Sequence, residues 1–312
     1  MKKLGAFFKL VRWPNLLITA LMMCLVWHCV LGLGSTIGFT LLVISMVFIV
    51  AGGYVINDIF DMVIDYINKP DKVIVGKIFT EKQCKVFYWT LTIIGLLCAL
   101  VSSILTHGSN FIVIFSCMVL LVCILYSYSN NYKKKLVIGN LIVSLSVAFA
   151  VFLPWLFQIL YMLQHKEMLV ENQEWMHVTL NIVLIYTAFA FLMTLIREIV
   201  KDIEDIEGDG RTHCRTIPVI WGTKTAQIIV MLLSLLTFFM IIYAKVYMQD
   251  LGLKITSHLL NASGVLMLGL VFVGNIFGLL DASLRTSKQF HLQSLALKVS
   301  MLIGVLSMIF IK

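Results

Sequence analysis

Nine apolar runs, each long enough to cross a bilayer, fall at residues 14–33, 37–57, 86–106, 111–128, 137–160, 178–197, 226–247, 259–280 and 295–311. A span needs roughly 20 apolar residues, because a helix rises only ~1.5 Å per residue through a ~30 Å hydrocarbon core. In lipid the backbone must satisfy its own hydrogen bonds, so runs of this length are helices. The expected fold is therefore all-α, a polytopic membrane bundle of nine transmembrane helices. Composition agrees: 60% of the residues are hydrophobic and 13% charged, where a soluble domain carries about 25% charged. No polar stretch is long enough for a separate soluble domain, so residues 1–312 are read as one membrane-embedded domain. The basic segment Met1 to Arg12 runs straight into a full-length span with no small-residue cleavage site, so the first helix is expected to stay.

Lysine and arginine orient the set, since they accumulate in cytoplasmic loops. With a cytoplasmic N-terminus, the inner segments hold 20 of the 24 Lys and Arg, leaving only Lys166, Lys245, Lys254 and Lys312 outside. The expected location is the cell (inner) membrane. The net charge of +8 follows from this bias. No aromatic and basic platform of the kind that binds single strands accompanies it, and nucleic acid is excluded as a partner.

Within this apolar chain the pattern D-x-x-D-x-x-x-D occurs twice. Asp58, Asp61 and Asp65 follow the second span, and Asp202, Asp205 and Asp209 follow the sixth. On a helix, positions i, i+3 and i+7 share one face over about two turns. Each triplet is an acidic stripe whose like charges repel unless a cation holds them. The orientation puts both stripes at inner-facing helix ends, so they can serve one ligand near the cytoplasmic face. Hard divalent cations suit such carboxylates, and Mg²⁺ commonly bridges one or two of them to a substrate phosphate. All six aspartates are therefore candidate catalytic residues and Mg²⁺ ligands.

Matching positive charge lies nearby. Lys69 and Lys72 follow the first stripe, Arg211 and Arg215 follow the second, and Arg12 precedes the first span. Lys134 is the candidate from the run Lys133 to Lys135. Mg²⁺ with such clamps neutralises a phosphorylated leaving group. Asn57, four residues before Asp61, could ligate or orient. Glu198 extends the second face, while Glu204 points off it. The histidines are scattered, with His213 alone in a motif loop. No Cys-x-x-Cys pair supports a zinc site or a disulfide framework.

At these residues the chain resembles the UbiA superfamily of intramembrane prenyltransferases. Asn57, Asp58, Asp61 and Asp65 match its first motif, and Asp202, Asp205 and Asp209 its second. KLVRWPN before the first span, the segment Leu125 to Lys135 and the T-I-P at Thr216 to Pro218 are also similar. The resemblance implies Mg²⁺-dependent transfer of a prenyl group from its diphosphate to a lipophilic acceptor in the bilayer. INKPDK and REIVKDIEDIEGD look most like the branch that transfers geranylgeranyl to geranylgeranylglyceryl phosphate. Val73 and His213 depart from common residues of the family and bear on the acceptor.

Physical chemistry supports the same reaction. Breaking an allylic C–O bond in hydrocarbon needs a neutralised diphosphate, an apolar trough for the tail and π faces for the developing cation. Phe60, Tyr126 and Tyr128 are candidates for those faces, with Tyr126 carried as a substrate-binding residue. The alternatives are an aromatic-acceptor prenyltransferase, a prenyl diphosphatase or cyclase, and, from a different class, a cation-coupled transporter.

Overall fold

The computed structural model describes residues 2–31, 34–68, 70–212, 214–281 and 286–311. Fourteen α-helices account for most of them: α1 Lys2–Leu10, α2 Trp13–Leu25, α3 Thr36–Phe60, α4 Met62–Asn68, α5 Glu81–His107, α6 Ile112–Asn130, α7 Ile138–Gln164, α8 Lys166–Glu171, α9 Gln173–Glu204, α10 Ile206–Arg211, α11 Ile217–Asp250, α12 Lys254–Met267, α13 Val273–Leu280 and α14 Ser287–Leu306. No extended strand occurs among the described residues, only an isolated bridge between Val75 and Phe79. Among the described residues, eight stretches are long and apolar enough to span a membrane, or nine if the bent pair at the N-terminus counts as one. The protein is thus a multi-pass helical membrane protein, as the hydropathy predicts.

Two breaks at the starts of spans have local causes. The first span is bent by 50° between Leu10 and Trp13. Arg12 sits at that bend with φ 53° and ψ 51°, and no helix continues through a left-handed residue. The seventh span matches its expected start because Gly222, at φ 84° and ψ 157°, kinks α11 and separates Ile217 to Trp221 from the long apolar run. Some spans begin at side-chain caps: Ser35 accepts from the Gly38 N–H at 3.2 Å. Thr80 and Gln83 form a reciprocal capping box.

The chain forms two compact units, Met1–Lys133 with Phe152–Leu180, and Lys134–Val151 with Asn181–Lys312. In the first, α3 and α5 pack closely through small residues. A methyl added at Gly52 would meet Thr92 Oγ1 at 2.9 Å, and one at Gly95 would meet Ile49 Cγ1 at 2.7 Å. Ser102 donates to the Gly38 carbonyl at 2.6 Å. Close backbone approach is how helices associate where lipid tails are as apolar as the side chains. Trp27 stacks on Phe39, with ring centroids 4.3 Å apart, and meets Phe157 edge-on, closing the far end of this unit.

In the second unit α9 and α14 run antiparallel. Tyr186 Oη and Ser307 Oγ are 2.6 Å apart. A methyl at Gly304 would strike the Phe189 ring, and His291 Nδ1 lies 3.1 Å from Glu204 Oε1. The residue numbers of these pairs sum to nearly the same value, which is the signature of one continuous seam. On α11, Leu232, Leu236, Phe239 and Tyr243 form an exposed apolar stripe at helical spacing, suited to lipid.

Candidate active site

Each unit carries one aspartate motif, and the two are built alike. Helix α3 ends at Phe60 and α4 begins at Met62, leaving Asp61 between them. Helix α9 ends at Glu204 and α10 begins at Ile206, leaving Asp205 between them. Asp61 has φ −86° and ψ 0°, and Asp205 has φ −98° and ψ 11°. Both lie in the bridge region that active-site residues often occupy. The straight two-turn stripe expected from the sequence is therefore broken at its middle aspartate in both motifs. The hydrogen-bond ladder nonetheless passes through, with Asp61 N–H donating to Asn57 O and Asp65 N–H to Asp61 O, each at 2.9 Å.

In the first motif, cations and an amide hold the carboxylates. Arg12 Nη2 donates to Asp58 Oδ1 at 2.8 Å. Its guanidinium lies 4.7 Å from the centre of the Tyr54 ring, and the Tyr54 hydroxyl accepts from Asn15 at 3.2 Å. Left-handed backbone in a non-glycine residue costs roughly 1–2 kcal/mol, and these contacts hold Arg12 there. Asp61 is buried, and its Oδ2 accepts from Asn57 Nδ2 at 2.6 Å and from the Lys133 ammonium. Burial alone would lower the Lys133 pKa, but Asp61 and Tyr128 outweigh it and raise it. Asp65, half-buried, is pushed up to about 6 by burial first and then by the charges of Asp61 and Asp58. Tyr126 stands edge-on to Phe60 with centroids 6.0 Å apart.

In the second motif, Asn140 of α7 donates to Asp202 Oδ2 at 2.8 Å. Glu198 pairs with Arg197 at 3.1 Å and with Lys201 at 2.9 Å. Asp209 is buried, and its carbonyl accepts from the Cys214 N–H at 2.9 Å. The Arg211 guanidinium is taken by Glu207 at 2.6 Å, an exposed pair one turn apart. Arg215 is exposed, and its N–H donates to the Lys134 carbonyl at 3.0 Å.

The structure thus brings Arg12 and Asn57 onto the first motif. From the lysine run it brings Lys133, where the sequence reading had taken Lys134, whose side chain is exposed. Lys69 and His213 lie outside the described residues, as does the side chain of Lys72. Sequence reasoning missed Asn140, although a polar residue at the start of an apolar span is itself a functional signal.

Among the described residues, no three acidic, histidine or cysteine side chains converge to hold an ion by themselves. The carboxylates of Asp58, Asp61 and Asp65 are hard oxygen donors of the kind Mg²⁺ takes one or two at a time beside waters and substrate oxygens. The mutual repulsion that raises Asp65 is the kind a divalent cation relieves.

A sequence model of the UbiA prenyltransferase family matches residues 15–304. The digeranylgeranylglyceryl phosphate synthase of Hyperthermus butylicus is 30% identical over 318 residues, covering 98% of this chain and 96% of that one. The enzyme of the same name from Methanosphaera stadtmanae is 30% identical over 239 residues, 75% of each chain. A solved structure of a digeranylgeranylglyceryl phosphate synthase superposes with a TM-score of 0.65 at 23% identity, covering 99% of this chain and 98% of that one. A UbiA homologue from Archaeoglobus fulgidus, bound to DMAPP and Mg²⁺, superposes with a TM-score of 0.58 at 17% identity over 96% of this chain and 98% of that one.

Proposed function

Because this chain belongs to the UbiA prenyltransferase family, we propose that its two aspartate motifs act together in one domain as the donor site of a prenyl transfer. The donor is geranylgeranyl diphosphate, and the acceptor is the lipid geranylgeranylglyceryl phosphate. The observation that carries the reading is the doubled motif, with its middle aspartate at a helix break and an amide on a carboxylate in both halves. Relatives of 30% identity named for this product support the acceptor. The prenyl diphosphate and Mg²⁺ bound by the Archaeoglobus homologue support the donor and the ion.

Mg²⁺ held by aspartates of both motifs would supply charge neutralisation for the leaving diphosphate. The chain's own residues do the rest. Arg12 and Lys133 hold Asp58 and Asp61 in place through ion pairs. Asn57 and Asn140 orient Asp61 and Asp202. Lys69, Lys72, Arg211, Arg215 and Lys134 offer further charge to the diphosphate, and Tyr126 offers a π face to the allylic cation. The donor's C1–O bond breaks with its electron pair leaving on diphosphate. The acceptor hydroxyl oxygen then bonds to C1 and gives up its proton to an aspartate carboxylate. The N-terminus and the site face the cytoplasm, in the cell membrane.

Purified protein in liposomes, given labelled geranylgeranyl diphosphate, Mg²⁺ and acceptor, should form the glycerol ether. A prenylated aromatic product would replace this acceptor with a quinone precursor. Prenyl alcohol released without any acceptor would make the protein a diphosphatase.

A further inference from the structure

The loop after the first motif folds back onto the helix that carries the motif's end, and one cation ties it there. Val73, Val75 and Phe79 are buried. Phe79 meets Phe87 of α5 edge-on with ring centroids 5.3 Å apart, and Phe87 meets Phe7 of α1 in the same way, also at 5.3 Å. This end of the loop is thereby fixed to α5 and to the helix that leads to Arg12. Gly76, at φ 83°, turns the chain where a side chain would strain it, and its N–H donates to the Phe79 carbonyl at 2.8 Å. A methyl added at Gly76 would lie 3.3 Å from Met62 Sδ and 3.9 Å from Tyr66 Oη, so the tip of the loop rests on α4. Met62 and Tyr66 share one face of that helix and directly follow Asp61 and Asp65. The next residue after the tip, Lys77, donates from Nζ to the Pro70 carbonyl at 2.6 Å. Its ammonium also stands 5.3 Å from the centre of the Tyr66 ring. One ammonium therefore joins α4, beside Asp65, to the turn Pro70–Lys72. With three rotatable donors on a long stem, lysine suits such a bridge.

We propose that Lys77 is a positioning residue of the donor site: it holds the turn that carries Lys72 against α4, next to the third aspartate of the first motif. The proposal rests on the donor-site reading above. The two partners of Lys77 are a carbonyl and an aromatic ring. Neither is a carboxylate of the motif, so the bridge persists when ion and donor bind. With the bridge in place the turn is ordered before the donor arrives, and binding does not have to order it. Without it only a fraction of the molecules present the turn, and the apparent donor affinity falls by that fraction. Val75 and Phe79 keep the far end of the loop in the core, so loss of Lys77 loosens the turn and leaves the bundle intact.

The test measures donor kinetics of full-length protein in liposomes, with labelled geranylgeranyl diphosphate at saturating Mg²⁺ and acceptor. It compares wild type, Lys77→Met, Tyr66→Leu and the double variant. Lys77→Met keeps an apolar stem and removes the ammonium. Its KM for the donor should rise about 5–20-fold while kcat at saturating donor is kept. Tyr66→Leu should raise KM in the same direction, and the double variant should be no worse than Lys77→Met, because both changes break one bridge. An unchanged KM in Lys77→Met overturns the proposal. A fall in kcat at constant KM also overturns it, since Lys77 would then do something other than order the turn for the donor. Additive losses in the double variant overturn it as well, because Lys77 would reach the diphosphate without help from Tyr66. Wild-type protein that consumes no prenyl diphosphate refutes the donor-site reading itself, an outcome distinct from wild-type turnover that Lys77→Met leaves unchanged.

Discussion

Replacing Asn140 with leucine tests whether the second motif depends on an amide behind its first carboxylate. The two side chains have similar shape, so the change removes one donor and little volume. In the structure that donor lies 2.8 Å from Asp202 Oδ2. A hydrogen bond to a charged group contributes about 1.5–3 kcal/mol. At ~1.36 kcal/mol per factor of ten, its loss should weaken Mg²⁺ binding about 10–150-fold. Partners behind metal ligands elsewhere cost about 10–100-fold, so the two scales agree. The assay is consumption of labelled geranylgeranyl diphosphate by purified protein across a Mg²⁺ titration. The midpoint should move to higher Mg²⁺, with most of the maximal rate recovered at saturation. An unchanged midpoint in a folded Asn140→Leu protein would refute the reasoning, because Asp202 would then owe nothing to its amide.

Asp61→Ala and Asp205→Ala should each abolish turnover while the protein still inserts and purifies; retained activity in the double variant sinks the donor-site assignment. Asp65 holds its proton up to about 6 instead of 3.8, so ionising it opposes the fold as pH rises through that window, and protons compete with Mg²⁺ below it. The Mg²⁺ midpoint should therefore rise as pH falls below about 6, and Asp65→Asn should remove that rise. At Arg12, φ 53° favours glycine, so Arg12→Gly should isolate loss of the guanidinium as a higher donor KM. Arg12→Ala should in addition unfold more easily than Arg12→Gly by about 1 kcal/mol. Gly95→Ala would push a methyl to 2.7 Å from Ile49 Cγ1 and should destabilise the α3–α5 packing by about 1–3 kcal/mol in thermal unfolding.

The spans were legible because apolar length and lysine placement are one-dimensional signals. Thr36–Phe60 and Ile112–Asn130 fall within a few residues of the expected runs. The motifs were legible because aspartates in so apolar a chain stand out. Contacts between segments far apart in sequence were not. Nothing in the run Lys133 to Lys135 says which ammonium meets Asp61, 72 residues away. Asn140 reaches Asp202 across 62 residues.

The repeated break sets limits on what the motif itself encodes. Sharp helix distortions usually trace to proline, glycine or an inserted group. Neither Asp61 nor Asp205 has a proline or glycine within two residues on either side. The neighbours also differ: Asn57 lies four residues before Asp61, and Lys201 four before Asp205. What the two sites share is the spacing of three carboxylates. A straight helix would stack those charges on one face, where they repel. Bringing ψ of the middle residue to 0° or 11° re-aims the segment that carries the third aspartate, while the backbone hydrogen bonds on either side survive. In the first motif the third carboxylate still lies near enough to the first two for their charges to add to burial in raising its pKa. An ion that bridges protein to a diphosphate needs ligands arranged around it and not in a row. The helix break and the cation requirement are then two consequences of the same charge spacing.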